Sequence, residues 1–547
     1  MSTSSVDSND SHLEKVQQAL ARMVCNEGVR PQSFCHDHQP FGRFIDTLNP
    51  KLRSCLTFKS LEQNCMKIYK VEQEKVKETF SKLGRKISLS VDLLLHEKFD
   101  SVDEYVCISA HFIDDDWKLK KWVVEYCRDF DTDINFPNNA ILKSLKEYDI
   151  EDKLLNLTGA ETGPLAECVK VHLQDITSFP LDGRLFHVQC SCDMISRMVK
   201  KGFKLISVII DKAETVSMSK PLPLWHLTSS KLSEVLKSKV LRKKVLSSEE
   251  REKARTVCAI ADRIYEIVKG LFEVKSPTAN IFLPHMQEIR AYLAEQSASS
   301  DAFVKLVTKK MCKVFDKYWD DTFLVLSIAA FLDPRYKMKY VEFVLCDESK
   351  AAVVLNTIRE LYDGYVVQPK EYELSESSSE SSDEDEGEEG EEDEIKEVDV
   401  RSNELVKKSR VNILETLNGL KDYCESMQPM DDSMDVKSDL DWYLEEPVFP
   451  WKGNFSVLQW WKDNRYKYPR LASMARDFLA IPLTVATCSK AYYTEPRDAD
   501  KTVVSLKPDL MNALMCTRSW KPGYGNDLRW YAIRELFLGI IPFMPSK

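Results

Sequence analysis

No apolar run in this 547-residue chain approaches the roughly 20 residues that a membrane-spanning helix needs. The longest, such as Phe323 to Leu332, are the size of core segments, so no membrane association is expected. A disulfide framework is missing as well. Fifteen cysteines are scattered without regular spacing, and no charged, apolar leader opens the sequence, so reduced thiols in an intracellular protein are expected. Zinc-finger spacing is also absent. Cys25, Cys35, His36 and His38 lie near one another, but a finger needs two closely spaced ligand pairs, and Cys25 and Cys35 are ten apart. No metal site, organic cofactor or small-molecule substrate is implied.

What is present is apolar substance and a divided charge. With 43% hydrophobic and 10% aromatic residues, the chain can bury large cores and should contain more than one domain. Its net charge of −11 is concentrated. Residues 371–397 hold fifteen acidic residues and one lysine, a local −14, and removing that block leaves the rest at +3. A mildly basic body with a separate acidic segment is compatible with a nucleic-acid-associated protein.

The most informative stretch is LQWWKDNRYKYPRLASMARDFLAIP, from Leu458 to Pro482. It opens on Trp460 and Trp461 and turns at Tyr468-Pro469. Leu471, Met474, Ala475, Phe478 and Leu479 then follow the i, i+3, i+4, i+7, i+8 spacing of one helix face, which Pro482 ends. So much apolar surface near a chain end is either a domain core or a subunit interface.

This stretch resembles the C-terminal dimerisation region of hAT (hobo/Activator-type) transposases, in particular plant domesticated ones of the DAYSLEEPER and RICESLEEPER type. The preceding DLDWYLEEPVFP and the following LKPDLMNALMCTRSW fit the same region. The resemblance implies an α+β or α/β fold. An RNase H-like transposase core would be interrupted by a large α-helical insertion and followed by the C-terminal hAT dimerisation region. Many relatives begin with a BED zinc finger, and this chain is expected to lack one. A homodimer is implied, with Trp460, Trp461, Tyr468, Pro469, Leu471, Met474, Ala475, Phe478 and Leu479 as its residues. The same side chains are expected to pack against the core.

Taken in order, residues 1–12 are small and polar and expected to be disordered, and 13–84 read as a helical region. Residues 85–203 form the first part of the RNase H-like core. There Ile87, Leu89, Val91 and Leu93 alternate with Ser88, Ser90 and Asp92, the period of a strand, and two further strands follow across an acidic turn at Asp114 to Asp116. Residues 204–440 are the helical insertion, including the acidic loop at 371–397. Ser247 and Glu250 are placed for a capping box at the start of one of its helices. Residues 441–520 hold the dimerisation region and the end of the core, and 521–547 are a tail.

The family's chemistry uses three carboxylates to hold two divalent metals that cleave a phosphodiester. The resemblance places Asp92 at the first carboxylate. Thr158, in LLNLTGAETG, stands at the second, and Ser489 or Cys488, depending on alignment, at the third. Only Asp92 offers the anionic oxygen that magnesium prefers. The expectation is therefore an inactive, domesticated transposase with no cofactor, acting as a nuclear dimer in DNA or chromatin binding or transcriptional regulation. The alternatives are an active, magnesium-dependent enzyme using displaced carboxylates such as Glu161 or Glu495, and a protein-interaction scaffold that does not bind DNA. Candidate nucleic-acid contacts are Trp225 and the basic residues Lys237, Lys239, Arg242, Lys243 and Lys244. The resemblance to active relatives implies that Trp225 would stack on an unpaired base, and it is otherwise a core residue. The basic residues are otherwise a solvated helix face.

Overall fold

A computed structural model describes residues 4–27, 57–97, 102–128, 136–160, 162–217, 246–273, 278–365, 437–451, 455–485, 497–498 and 505–521, with isolated positions 47 and 232. Two helices come first, α1 (Ser4–Glu27) and α2 (Phe58–Lys82). Helix α1 begins well before Leu13, so residues 4–12, expected as disordered, join it. A helix extends cheaply once its amphipathic turns are nucleated. Three strands then form an antiparallel meander: β1 (Ile87–Glu97), β2 (Val102–Ile113) and β3 (Leu119–Arg128). Helix α3 (Phe136–Glu147) leads to β4 (Leu154–Gly159), and α4 (Gly163–Leu173) leads to β5 (His187–Gln189). Strand β4 pairs with β1 and with β5, both in parallel, so the sheet order is β3-β2-β1-β4-β5.

A helical body follows: α5 (Ser191–Lys204), α6 (Ser207–Ser217), α7 (Ser248–Glu273), α8 (Phe282–Ser297), α9 (Ala302–Phe331), α10 (Lys337–Leu345) and α11 (Glu348–Asp363). The expected capping box is formed at the head of α7. The Glu250 N–H donates to Ser247 Oγ at 3.1 Å, and the Ser247 N–H donates to Glu250 Oε2 at 2.7 Å. The acidic block at 371–397 and the tail after residue 521 lie outside the described residues. The C-terminal region contributes α12 (Asp439–Glu445), α13 (Val457–Asn464) and α14 (Pro469–Leu479). The chain then returns to the sheet through β6 (Arg497–Asp498) and α15 (Pro508–Trp520).

The sheet separates two hydrophobic cores. One lies under α1, α2, α3, α4 and α15, with Ile87, Leu89 and Val91 pointing into it. The other holds the helical body and the C-terminal region. Helix α15 also runs along β3 at the sheet margin. Its side chains bond the strand backbone directly: Val123 N–H donates to Ser519 Oγ at 2.8 Å, Tyr126 N–H to Asn512 Oδ1 at 3.0 Å, and the Trp520 indole N–H to the Val123 carbonyl at 2.9 Å.

Candidate functional site

The site is built on the polar side of β1. Its period-2 alternation turns Ser88, Ser90 and Asp92 away from the first core. Ser109 and His111 of β2 stand opposite Ser90 and Ser88, and Cys107 stands opposite Asp92. Asn156 and Thr158 of β4 lie beside Ser88 and Ser90 in parallel register. This polar layer is closed off from solvent, with Ser90 2% and Thr158 0% exposed. Lateral hydrogen bonds satisfy part of it. Ser90 Oγ lies 2.8 Å from His111 Nε2, and Asn156 Nδ2 donates to Thr158 Oγ1 at 3.0 Å. Burial, helped by nearby Lys121, holds His111 well below its ordinary value, which leaves a neutral imidazole.

Asp92 follows this layer toward the C-terminal end of β1 and is half-buried. Strand β6 pairs with β1 just beyond it, Leu94 against Arg497 and Leu95 against Asp498. The chain leaving the 486–496 segment therefore returns to the Asp92 end of the sheet. Cys488, Ser489, Glu161 and Glu495 lie outside the described residues, as do Trp225, Lys237, Lys239, Arg242, Lys243 and Lys244. Asp92 and Thr158 are thus the two candidate site residues that the sheet brings together, on adjacent parallel strands.

Among the described residues, the donors beside Asp92 do not by themselves make a two-metal centre. Magnesium needs hard, preferably anionic oxygens in near-octahedral array. Asp92 supplies one carboxylate. The Thr158 hydroxyl is neutral and already accepts a hydrogen bond from Asn156. Among the described residues, no group of three or more His, Cys, Asp or Glu side chains could hold a metal ion. The Cys190 and Cys192 sulfurs, 3.2 Å apart at the start of α5, are buried thiols, and Cys190 meets Thr484 and Val485.

The tandem-tryptophan stretch is resolved by its packing. Trp461, Tyr468, Leu471, Met474, Ala475, Phe478 and Leu479 are all 0% exposed within the single chain. The Trp461 indole N–H donates to the Leu332 carbonyl at 2.8 Å, and its ring meets those of Tyr443, Trp460 and Tyr468. Trp460 and Pro469 are half-buried. The expectation that these nine residues form a subunit surface is therefore corrected for the seven buried ones. Their apolar stripe is buried in the core shared by the helical body and the C-terminal region.

Sequence reasoning missed Arg476 and Asp477 on α14. Arg476 bonds the Asp114 carbonyl and Asp115, and stacks 4.9 Å over Trp117, which sits in the β2–β3 hairpin with a positive φ of 61°. Asp477 accepts from the Lys86 N–H at 3.2 Å and the Tyr365 hydroxyl at 2.8 Å. Burial pushes its carboxyl up to about 6, against the opposing pull of Tyr365 and Arg85. The readable signal was two charged residues standing between inward-facing apolar ones.

A model of the hAT family C-terminal dimerisation region matches residues 439–521, which span α12 to α15. A model described as hAT-like transposase, RNase-H fold matches residues 280–365, and a ZBED1 RNase-like domain matches residues 100–185. The chain is 26% identical to zinc finger BED domain-containing protein RICESLEEPER 2 of Oryza sativa subsp. japonica, over 88% of this chain and 71% of the relative. It is 27% identical to zinc finger BED domain-containing protein DAYSLEEPER of Arabidopsis thaliana, over 93% and 73%. A putative AC transposase of Zea mays is 25% identical, over 88% and 62%. Parts of this chain thus match the RNase-H fold of hAT-like transposases and the hAT C-terminal dimerisation region, and most of its length is similar to plant proteins of the DAYSLEEPER and RICESLEEPER type.

Proposed function

We propose that this chain is a non-catalytic member of its family, a nuclear dimer that binds DNA and acts on chromatin or transcription. The observation that carries the non-catalytic part is Thr158. It lies in register with Ser90, two residues before Asp92 along β1, where the family's second carboxylate is expected. A buried threonine hydroxyl bonded to Asn156 cannot supply the missing negative charge. The dimer is supported by the C-terminal region's match and by what remains outside its core. Trp442, Trp451 and Tyr466 keep 52%, 39% and 64% of their surface exposed, an aromatic content typical of interfaces.

Two measurements test this reading. Full-length protein is incubated with magnesium and duplexes carrying terminal-repeat ends, and no cleavage is expected. Cleavage that disappears in Asp92→Ala would overturn the non-catalytic assignment. Light scattering at micromolar concentration should return twice the 63.1 kDa chain mass. A monomer there would remove the dimer from the proposal.

A further inference from the structure

The first three to four turns of α9 carry a ridge of lysines. Lys305, Lys309 and Lys313 follow one another at i, i+4 spacing, with Lys310 beside them, and all four are exposed. Successive charges rise by about 6 Å along the helix axis and stay on its outer side. The opposite side of the same turns, Val307, Thr308 and Met311, is buried.

This ridge differs from the other charged helices. On α2, Lys75, Lys77 and Lys82 each lie within 3.1 Å of a glutamate three or four residues away. On α7, Lys253 and Arg255 do the same. Those are solvated faces whose charges are neutralised locally. Among the described residues, no carboxylate lies within salt-bridge distance of Lys305, Lys309, Lys310 or Lys313. Lys305, Lys309 and Lys313 are i, i+4 neighbours along the ridge and Lys310 is i, i+3 to Lys313, an arrangement that opposes the helix. Asp301, one turn earlier, is committed as N-cap to the N–H groups of Phe303 and Val304. Asp316, one turn after Lys313, and Asp320 and Asp321, beyond Lys317, mark the end of the ridge.

A second helix brings more positive charge to the same place. Helix α5 crosses α9 at Gly202, where a Cβ would sit 2.4 Å from Met311 Cε and 3.7 Å from Val307 Cγ1. Exposed Lys201 and Lys204 flank that crossing, and neither has an acidic partner among the described residues.

We infer that the Lys305–Lys313 ridge, together with Lys201 and Lys204, is a phosphate-binding track for duplex DNA. The inference rests on the reading that this chain binds DNA, and it gives that binding a surface. Regularly spaced, unneutralised point charges suit a polyanion with a repeating charge and read no sequence. An acidic peptide is the competing occupant, but its charges carry no fixed spacing to match the ridge.

The test uses the full chain and a 30-base-pair duplex of arbitrary sequence, with affinity measured against salt. One variant carries Lys305→Gln, Lys309→Gln, Lys310→Gln and Lys313→Gln. A control carries Lys75→Gln, Lys77→Gln and Lys82→Gln on α2. The ridge variant should bind at least tenfold more weakly near 0.1 M salt, and its log–log slope should fall by about 0.9 per lost phosphate contact, up to about 3.6. The control should match wild type, and both should keep the wild-type circular dichroism spectrum. Wild-type binding that the ridge variant reproduces in affinity and slope would overturn the inference while leaving DNA binding intact. No salt-sensitive duplex binding by wild type would overturn both. Binding of poly-glutamate through the ridge, with no duplex binding, would replace DNA by an acidic partner.

Discussion

Trp461 offers the sharpest separation between a core and an interface. Its side chain is fully buried, its indole N–H is the donor to the Leu332 carbonyl at the end of α9, and three aromatic rings surround it. Trp461→Phe keeps much of the ring volume but leaves the Leu332 carbonyl without its donor. A buried polar group left unpaired costs about 1–3 kcal/mol. Trp461→Ala also opens a cavity, and such truncations cost about 3–5 kcal/mol. Set against a typical domain stability of about 5–15 kcal/mol, the alanine variant should lose soluble yield, while the phenylalanine variant should remain measurable. By contrast, Tyr466→Ser, at a residue 64% exposed, should shift stability by no more than about 0.5 kcal/mol. Urea unfolding followed by far-ultraviolet circular dichroism gives the stabilities, and light scattering of the same samples gives the mass. The expected pattern is a destabilised Trp461→Phe that still self-associates, beside a stable Tyr466→Ser. A Trp461→Phe protein with an unchanged midpoint but a monomer mass would refute the assignment of this ring to the core.

Three further outcomes follow from contacts already described. The Asp477 carboxyl is raised to about 6, above the roughly 3.9 of an unfolded aspartate, so the native state holds the extra proton between those values. Its contribution is fully present below about pH 4 and is lost as pH rises through about 6, by up to about 3 kcal/mol. Asp477→Asn should therefore gain on wild type between pH 4.5 and 7, and a pH-independent difference in urea midpoints would contradict this. Arg335 meets fully buried Asp333 through two bonds, of 2.9 and 2.6 Å. Arg335→Ala should cost about 3–5 kcal/mol in the same assay, with Arg335→Lys intermediate, because lysine cannot span both oxygens. Gly183 has a φ of 77°, and a Cβ there would sit 2.6 Å from Lys170 Cε. Gly183→Ala should cost about 1–2 kcal/mol, read as a lowered melting temperature.

The strands and the helix stripes were legible because period and capping chemistry are local. Alternation located β1, Ser247 and Glu250 located the start of α7, and Pro469 and Pro482 bracketed α14. What could not be read was which surface each stripe meets. The spacing of Leu471 through Leu479 is the same for a helix docked on its own chain's core and one docked on a second chain. Burial within one chain decides for the first. The polar phase of β1 is a similar case. Ser88 and Ser90 look suited to water, yet both are covered, and Ser90 is bonded sideways to His111, 21 residues away, which no periodicity reveals. Thr158 was singled out by the resemblance alone, and the parallel register that sets it beside Ser90 is not written in the sequence.

The bonds from α15 to β3 also bear on how the chain is made. A strand at a sheet margin offers unpaired N–H and C=O groups to any other strand that drifts past. Here Asn512, Ser519 and Trp520 occupy part of that margin, and they are nearly 400 residues downstream of the strand they cover. During synthesis β3 emerges long before its cover exists. At the usual about 5–20 residues per second, that margin stays open for tens of seconds. A ribosome stalled before residue 508 would release a chain whose sheet is formed but unsealed, a natural substrate for chaperones. Among the described residues, α15 is thus a safety catch that closes only long after the strand it protects has been made.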